Sequence, residues 1–240
     1  MLLAPERIAA LSPLARDPAL SYFAREARRF PVVRPSAEAV LALRPGLVLG
    51  GKFGARATLS LLERAGVRVE RLDVPTDFPS LRAGLRAAGA LLGVPERAET
   101  AIAAMDAAMP PPVSPPSPPM TALVWRPRGW TSGPGGMMDA VLRAAGLTNA
   151  GTGARAGLEA LTRHQPDILI IGESGAGVSL ATEMLRHRAV RNVPVRFYSV
   201  SLEICPGPWT VRTVGEVGEG GERPPRDPTF PTYGGRTSTE

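Results

Sequence analysis

The arrangement closest to reactive chemistry is Ile171-Gly172-Glu173-Ser174-Gly175-Ala176. An apolar run leads into it and a helical pattern follows. That is the setting in which a serine on a tight strand-to-helix turn acts as a hydrolase nucleophile. The remaining parts are missing. Ala176 stands where the second glycine of such an elbow belongs, His187 falls on the very next helix, and no aspartate lies between Ser174 and His187. The loop also lacks the lysine and the glycine spacing of a phosphate cradle. His164 and His187 are the only histidines, too few for a transition-metal site built from several imidazoles. Cys205 is alone, so no internal disulfide forms. A Ser174 enzyme is therefore kept only as the alternative to a loop that turns the chain.

Charge excludes a second class. The 240 residues carry 28 Lys and Arg against 22 Asp and Glu, a net +6. Lys52 is the only lysine, and the arginines are spread out rather than interleaved with aromatics. A nucleic-acid groove needs that interleaving, so a solvated arginine-rich surface is the better reading. At 44% apolar residues the chain can bury a core, and no apolar run is long enough to span a bilayer. Met1-Leu2-Leu3-Ala4-Pro5 shows no secretory signal pattern.

The elements that must carry any site follow from hydrophobic period and punctuation. Ile8–Leu11 reads as a strand and Ala19–Phe30 as a helix. Ser36 caps a helix over Ala37–Leu43, with Glu38 in its first turn. Leu47–Leu49 is a buried strand, Ala55–Ala65 a helix stopped by Gly66, and Val67–Leu72 a strand. Leu81, Leu85, Ala88 and Leu92 share a helical stripe, as do Ile102, Met105 and Met109; Gly93-Val94-Pro95 separates them. Two helices result, Ser80–Leu92 and Pro95–Met109, and the second reads as a strut between two lobes. Pro110–Pro119 holds seven prolines in ten residues, an extended linker. Beyond it, Ala122–Trp125, Ile168–Ile171 and Val195–Val200 read as strands, and Met137–Ala145, Leu158–His164 and Ala181–Arg186 as helices. This alternation predicts α/β units with parallel pairing.

The halves repeat. Glu38-Ala39, Pro45, Leu47–Leu49 and Gly51 recur as Glu159-Ala160, Pro166, Ile168–Ile170 and Gly172, at a constant offset of 121 residues. A helix–turn–strand–loop unit on either side of a strut is what a two-lobed protein requires.

Several segments together resemble the periplasmic substrate-binding proteins of ABC importers for vitamin B12 and iron–siderophore complexes. They are Arg7–Pro13, Ser36–Gly51, Ala65–Val69 with Asp73, Leu91–Gly93 with Glu96-Arg97-Ala98, Gly129–Gly133, Ala140–Leu142 with Ala145–Leu147, and Gly157–Gly172. The resemblance spans roughly residues 5–214 and lies in the order of many weak motifs. It implies two small Rossmann-like lobes with mostly parallel sheets joined by one long rigid helix. The expected division is an N-terminal lobe over 1–94, the inter-lobe helix and linker over 95–119, a C-terminal lobe over 120–217 and a disordered tail over 218–240. It further implies a periplasmic, monomeric, non-enzymatic carrier. Such a carrier holds a metal chelate (cobalamin, a ferric siderophore or haem) between its lobes and delivers it to an inner-membrane permease, with no nucleic-acid partner and no cofactor of its own.

In that arrangement the ligand sits among loops at the carboxyl ends of strands. These loops are Ser12–Arg16, Gly50–Gly54, Arg126–Thr131, Glu173–Gly177 and Ser201–Trp209. Phe53, Trp130 and Trp209 would offer flat apolar faces to a macrocycle or aryl chelate, and Arg16, Lys52 and Arg128 charge to anionic groups. The family docks on its permease through an exposed glutamate on each lobe. Arg56 stands near the expected place in the first lobe, which leaves Glu63 there and Glu203 and Glu216 in the second as docking carboxylates. The family also begins with a strand and helix ahead of Leu2-Leu3-Ala4, so the sequence reads as a chain lacking its export signal, first strand and one cleft loop. A product that keeps the fold but loses the ligand, a non-transporting interaction module, is the third reading.

Overall fold

The computed structural model describes residues 2–111, 118–126, 130–155, 161, 165–173 and 192–219. Among them, no helix is long and apolar enough to cross a membrane.

The first segment is less regular than its pattern predicts. Pro5–Arg7 and Pro13–Arg16 are short 3-10 turns. The strand expected over Ile8–Leu11 shrinks to one parallel bridge, between Leu11 and Val32. Leu11 N–H donates to the Pro31 carbonyl at 2.9 Å and Val33 N–H to the Leu11 carbonyl at 3.0 Å. Pro13 and Pro31 have no N–H with which to lengthen the ladder. The helix expected over Ala19–Phe30 is confined to α1, Ala24–Ala27. Ahead of it, the Asp17 carboxylate accepts the Ala19 N–H at 2.9 Å and holds the chain in a turn. Helix α2, Ala37–Ala42, begins as expected, with the Ser36 hydroxyl accepting the Ala39 N–H.

Strands β1, Val48–Gly51, and β2, Val69–Leu72, pair in parallel with Val48 opposite Val69, and α3, Arg56–Arg64, connects them. Parallel sheets are ordinarily covered on both faces. This two-stranded sheet is not, and Leu49 and Leu72 remain exposed.

Asp77 opens α4, Phe78–Leu91. Its carboxylate accepts the Ser80 N–H at 2.7 Å while the Ser80 hydroxyl accepts the Asp77 N–H at 3.0 Å, a reciprocal cap. The break falls at Gly93, whose φ of +68° suits glycine, and Pro95 starts α5, Pro95–Ala107. The two helices lie antiparallel, clamped by Arg82–Asp106 at 2.6 Å and Arg86–Glu99 at 2.7 Å. At the crossing, a Cβ on Gly89 would stand 2.5 Å from that of Ala98. The element between the halves is thus a helical hairpin, with the expected strut as its second arm.

The C-terminal half holds the main core. Strands β3, Thr121–Trp125, β4, Thr148–Asn149, β5, Ile168–Glu173, and β6, Val195–Ser199, form one parallel sheet in the order β4-β3-β5-β6. Helices α6, Met137–Ala144, and α7, Val211–Glu219, cover one face. Phe78 and Leu81 of α4 and Met105 of α5 join the same core, so the open end of the hairpin is anchored there. Leu123, Trp125, Leu161 and Leu169 form a smaller cluster. The described strands thus fall into two separate sheets, one in each half. The 121-residue echo places Gly51 at the end of β1 and Gly172 within β5.

The helices expected over Leu158–His164 (buried Leu161 aside) and Ala181–Arg186 lie outside the described residues. So does the tail beyond Glu219; Gly218 and Glu219 themselves close α7.

Candidate functional site

The carboxyl ends of the C-terminal strands carry a polar cluster. Arg126 follows directly on β3. Its guanidinium donates to Glu203, in the segment after β6, at 2.6 Å, and to the Ser132 hydroxyl at 3.1 Å. The Tyr198 hydroxyl, from β6, approaches the other Glu203 oxygen at 3.4 Å. Only 12% of the Glu203 side chain is exposed. Burial works against the Arg126 charge, but Tyr198 and Glu203 beside it outweigh that and raise its pKa. Burial foremost, and then the Glu203 charge, pushes the Tyr198 phenol above its usual range. The cluster needs Gly172 bare: a Cβ there would lie 2.6 Å from Val200 and 3.0 Å from the Tyr198 ring.

Beside this cluster Trp130 stands on a rigid mount. Arg126 N–H donates to the Trp130 carbonyl at 2.8 Å, Trp130 bridges Arg155, and Thr131 bridges Trp125. Thr131 donates twice to the Ala154 carbonyl, at 3.2 Å from its N–H and 3.0 Å from its hydroxyl. The buried Asp139 carboxylate accepts from Gly135 N–H and the Asn149 side-chain amide, each at 3.1 Å, which fixes the far end of the loop. The backbone is held, yet the indole is 47% exposed. In the other half, Phe53 follows β1 and is 72% exposed, and Lys52 beside it pairs with Asp73 at 2.7 Å. Two exposed aromatics therefore lie just beyond the carboxyl ends of β1 and β3, one in each half.

The remaining expected residues are placed differently. The Arg16 guanidinium is turned onto the carbonyls of Ala27, Arg28 and Phe30, where it caps the end of α1. Trp209 is packed against Tyr22 and Phe23. Arg128 lies outside the described residues, as do Ser174, His164 and His187. Each docking carboxylate is engaged within the chain. Glu63 makes a two-pronged pair with Arg71, chiefly a side-chain hydrogen bond, which lowers its pKa. Glu203 holds Arg126, and Glu216 accepts the Ser199 N–H at 3.0 Å. Among the described residues no group of His, Cys, Asp and Glu could hold a metal ion.

The sequence places Arg126 at the start of an expected ligand loop, because it directly follows an apolar strand, but gives it no role of its own. Tyr198, Tyr22 and Phe23 were missed as residues of interest. The Tyr22–Trp209 contact joins residues far apart in the chain and leaves no local signal.

The family model described as periplasmic binding protein matches residues 2–195, and the chain belongs to that family. The family comprises substrate-binding proteins, not enzymes; its members act outside the cytoplasm and work with ABC permeases. Solved structures share the fold. A periplasmic heme-binding protein from Pseudomonas aeruginosa is 24% identical, with a TM-score of 0.65 over 88% of this chain and 83% of that one. The periplasmic heme-binding protein of a Roseiflexus species is 20% identical, with a TM-score of 0.69 over 90% and 89%. An ABC-type Fe3+-hydroxamate transport system protein from Saccharomonospora viridis is 21% identical, with a TM-score of 0.61 over 82% and 79%. Among curated protein sequences there is no significant match.

Proposed function

We propose that this chain is the substrate-binding component of an ABC importer and carries an iron chelate, haem or a ferric siderophore, between its two halves. The observation that carries the reading is the pair of exposed aromatics, Phe53 and Trp130, at the carboxyl ends of strands in two separate parallel sheets. Flat apolar faces are what a macrocycle or an aryl chelate needs. Proteins of the same fold that bind heme or belong to ferric-hydroxamate transport support that ligand class.

In this reading residues 120–217 are one lobe and the chain ahead of α4 the other, and the α4–α5 hairpin with the linker after it joins them, which moves the first boundary from residue 94 to near Asp77. Phe53 and Trp130 contact the chelate. Lys52 and Arg128 meet its anionic groups, and Arg126 lies beside Trp130 as a further cation. Trp209 and Arg16 act through packing and capping. The carrier works as a periplasmic monomer that delivers its load to a permease. Of the three docking carboxylates, Glu63 with its Arg71 partner is the one on an open surface. A hairpin clamped by two ion pairs and a firmly mounted Trp130 favour a largely pre-formed site over one built by large closure.

Equilibrium titration with haem, a ferric hydroxamate and cobalamin tests the reading. Saturable one-to-one binding of haem or the hydroxamate at micromolar levels supports it. Binding of none at millimolar levels overturns it in favour of the interaction module.

A further inference from the structure

We infer that Tyr22, Phe23 and Trp209 form a fixed joint between the two halves, at the β6 end of the C-terminal sheet, that sets the width available to a ligand. Tyr22 and Trp209 stack with ring centroids 5.2 Å apart and planes 11° apart. Phe23 meets Trp209 edge-on at 5.0 Å and 85°. The Arg212 guanidinium lies 5.4 Å from the Tyr22 ring centre. Tyr22 and Phe23 belong to the N-terminal half, and Trp209 and Arg212 to the segment that follows β6.

Both sides of the contact are rigidly mounted. On the C-terminal side, Gly207 N–H donates to the Thr210 hydroxyl at 3.0 Å, and that buried hydroxyl donates to the Leu202 carbonyl at 2.9 Å. The indole lies directly against Gly207, where a Cβ would meet ring carbons at 2.3 Å. On the N-terminal side, Asp17 pins Ala19 and the Arg16 guanidinium holds the carbonyls of Ala27 and Phe30. Two pinned turns that meet through stacked rings have few ways to slide, because packed aromatic faces have discrete arrangements. The Trp209 indole N–H is buried with no acceptor among the described residues, so the ring is held by its faces.

Position gives the joint its consequence. Among the described residues β6 is an edge strand in the order β4-β3-β5-β6, whereas Arg126 and Trp130 follow the inner strand β3. The joint therefore lies at the β6 end of the sheet, two strands from β3. The ring contact thus fastens the N-terminal half to the segment after β6 close to the α4–α5 hairpin, since Pro208–Thr210 packs on α5. What the cleft holds rests on the carrier reading above; the joint does not.

The test is a spin-label distance measurement between Arg64→Cys and Thr152→Cys, both exposed positions, in a Cys205→Ser background and without ligand. One narrow distance distribution is expected, kept in Tyr22→Phe, which preserves the stacking ring. It is lost to a broad distribution in Trp209→Leu. Equal widths in the parent and Trp209→Leu overturn the proposal. Should Trp209→Leu fail to fold, Tyr22→Leu removes the same stack from the other half and is read in the same way. Because no chelate is present, failure here is separate from failure of the carrier reading.

Discussion

Arg126 and Glu203 meet at 2.6 Å although 77 residues separate them, and their contact ties the end of β3 to the segment beyond β6. The glutamate lies nearly buried under the arginine, so removing its charge strands a cation that has little access to water. Glu203→Gln is expected to lower stability by about 1–2 kcal/mol, the cost of a charge-assisted hydrogen bond discounted for the exposed part of Arg126. Urea unfolding at neutral pH measures it. Unchanged stability would mean the pair is solvent-screened.

Glu216 gives the pH dependence a distinctive sign. Burial, its largest influence, raises its pKa above the ordinary carboxylate value. A group whose folded pKa is raised contributes stability that is fully present below its unfolded pKa and lost as pH rises through the folded value. At neutral pH the ionised Glu216 therefore costs stability. Glu216→Gln is expected to melt higher than the parent at pH 7, with the gap closing as pH falls through the carboxylate range. Asp77 and Asp167 act oppositely. Hydrogen bonds from Ser80 and Thr121 respectively hold their pKa values down. Their contribution is present above the unfolded pKa and lost as pH falls through the folded one. Melting curves against pH separate the two signs.

Gly89 sits where α4 crosses α5. In an ordinary helix interior, Gly→Ala would stabilise by about 1 kcal/mol. Here the added methyl would stand 2.5 Å from the Ala98 Cβ and 3.3 Å from the Val94 carbonyl, and neither neighbour can swing aside. Gly89→Ala is expected to destabilise by about 1–3 kcal/mol, the usual cost of overpacking. A stabilised variant in urea would show that the hairpin can open at no cost.

The two sheets are expected to differ in local stability. Of the eleven exposed large apolar side chains among the described residues, nine lie between Leu14 and Val74, whereas the middles of β3 and β5 are fully buried. Hydrogen exchange should reach the β1 and β2 amides well before those of β3 and β5, since sparse burial permits local opening. Equal protection in both sheets would contradict this.

The contrast also explains what could be read from the sequence. Val124, Ile170 and their neighbours form continuous apolar runs that a buried parallel strand requires, and Ser36 and Gly93 are local signals with local causes. Those elements appear where the pattern places them. Ile8–Leu11 had the composition of a strand, but a strand needs a partner, and Pro31 allows only a single bridge. The candidate site was legible by type more than by role. Phe53 and Trp130 follow strands and stay exposed. Glu203 and Trp209 are taken up by partners distant in sequence, and Arg16 by carbonyls 11 to 14 residues on, none of which a local pattern encodes.

The proposal that a chelate rests on these two aromatics is tested most directly by haem titration of the parent, Phe53→Leu and Trp130→Leu, followed by Soret absorbance. Both side chains are exposed, so the variants are expected to keep the parent melting temperature. Saturable one-to-one binding in the parent, weakened by roughly tenfold in each variant, is the expected result, consistent with about 1–2 kcal/mol per aromatic contact. Equal affinity in all three proteins would contradict the site, and no binding of haem or of a ferric hydroxamate in the parent would contradict the carrier function itself.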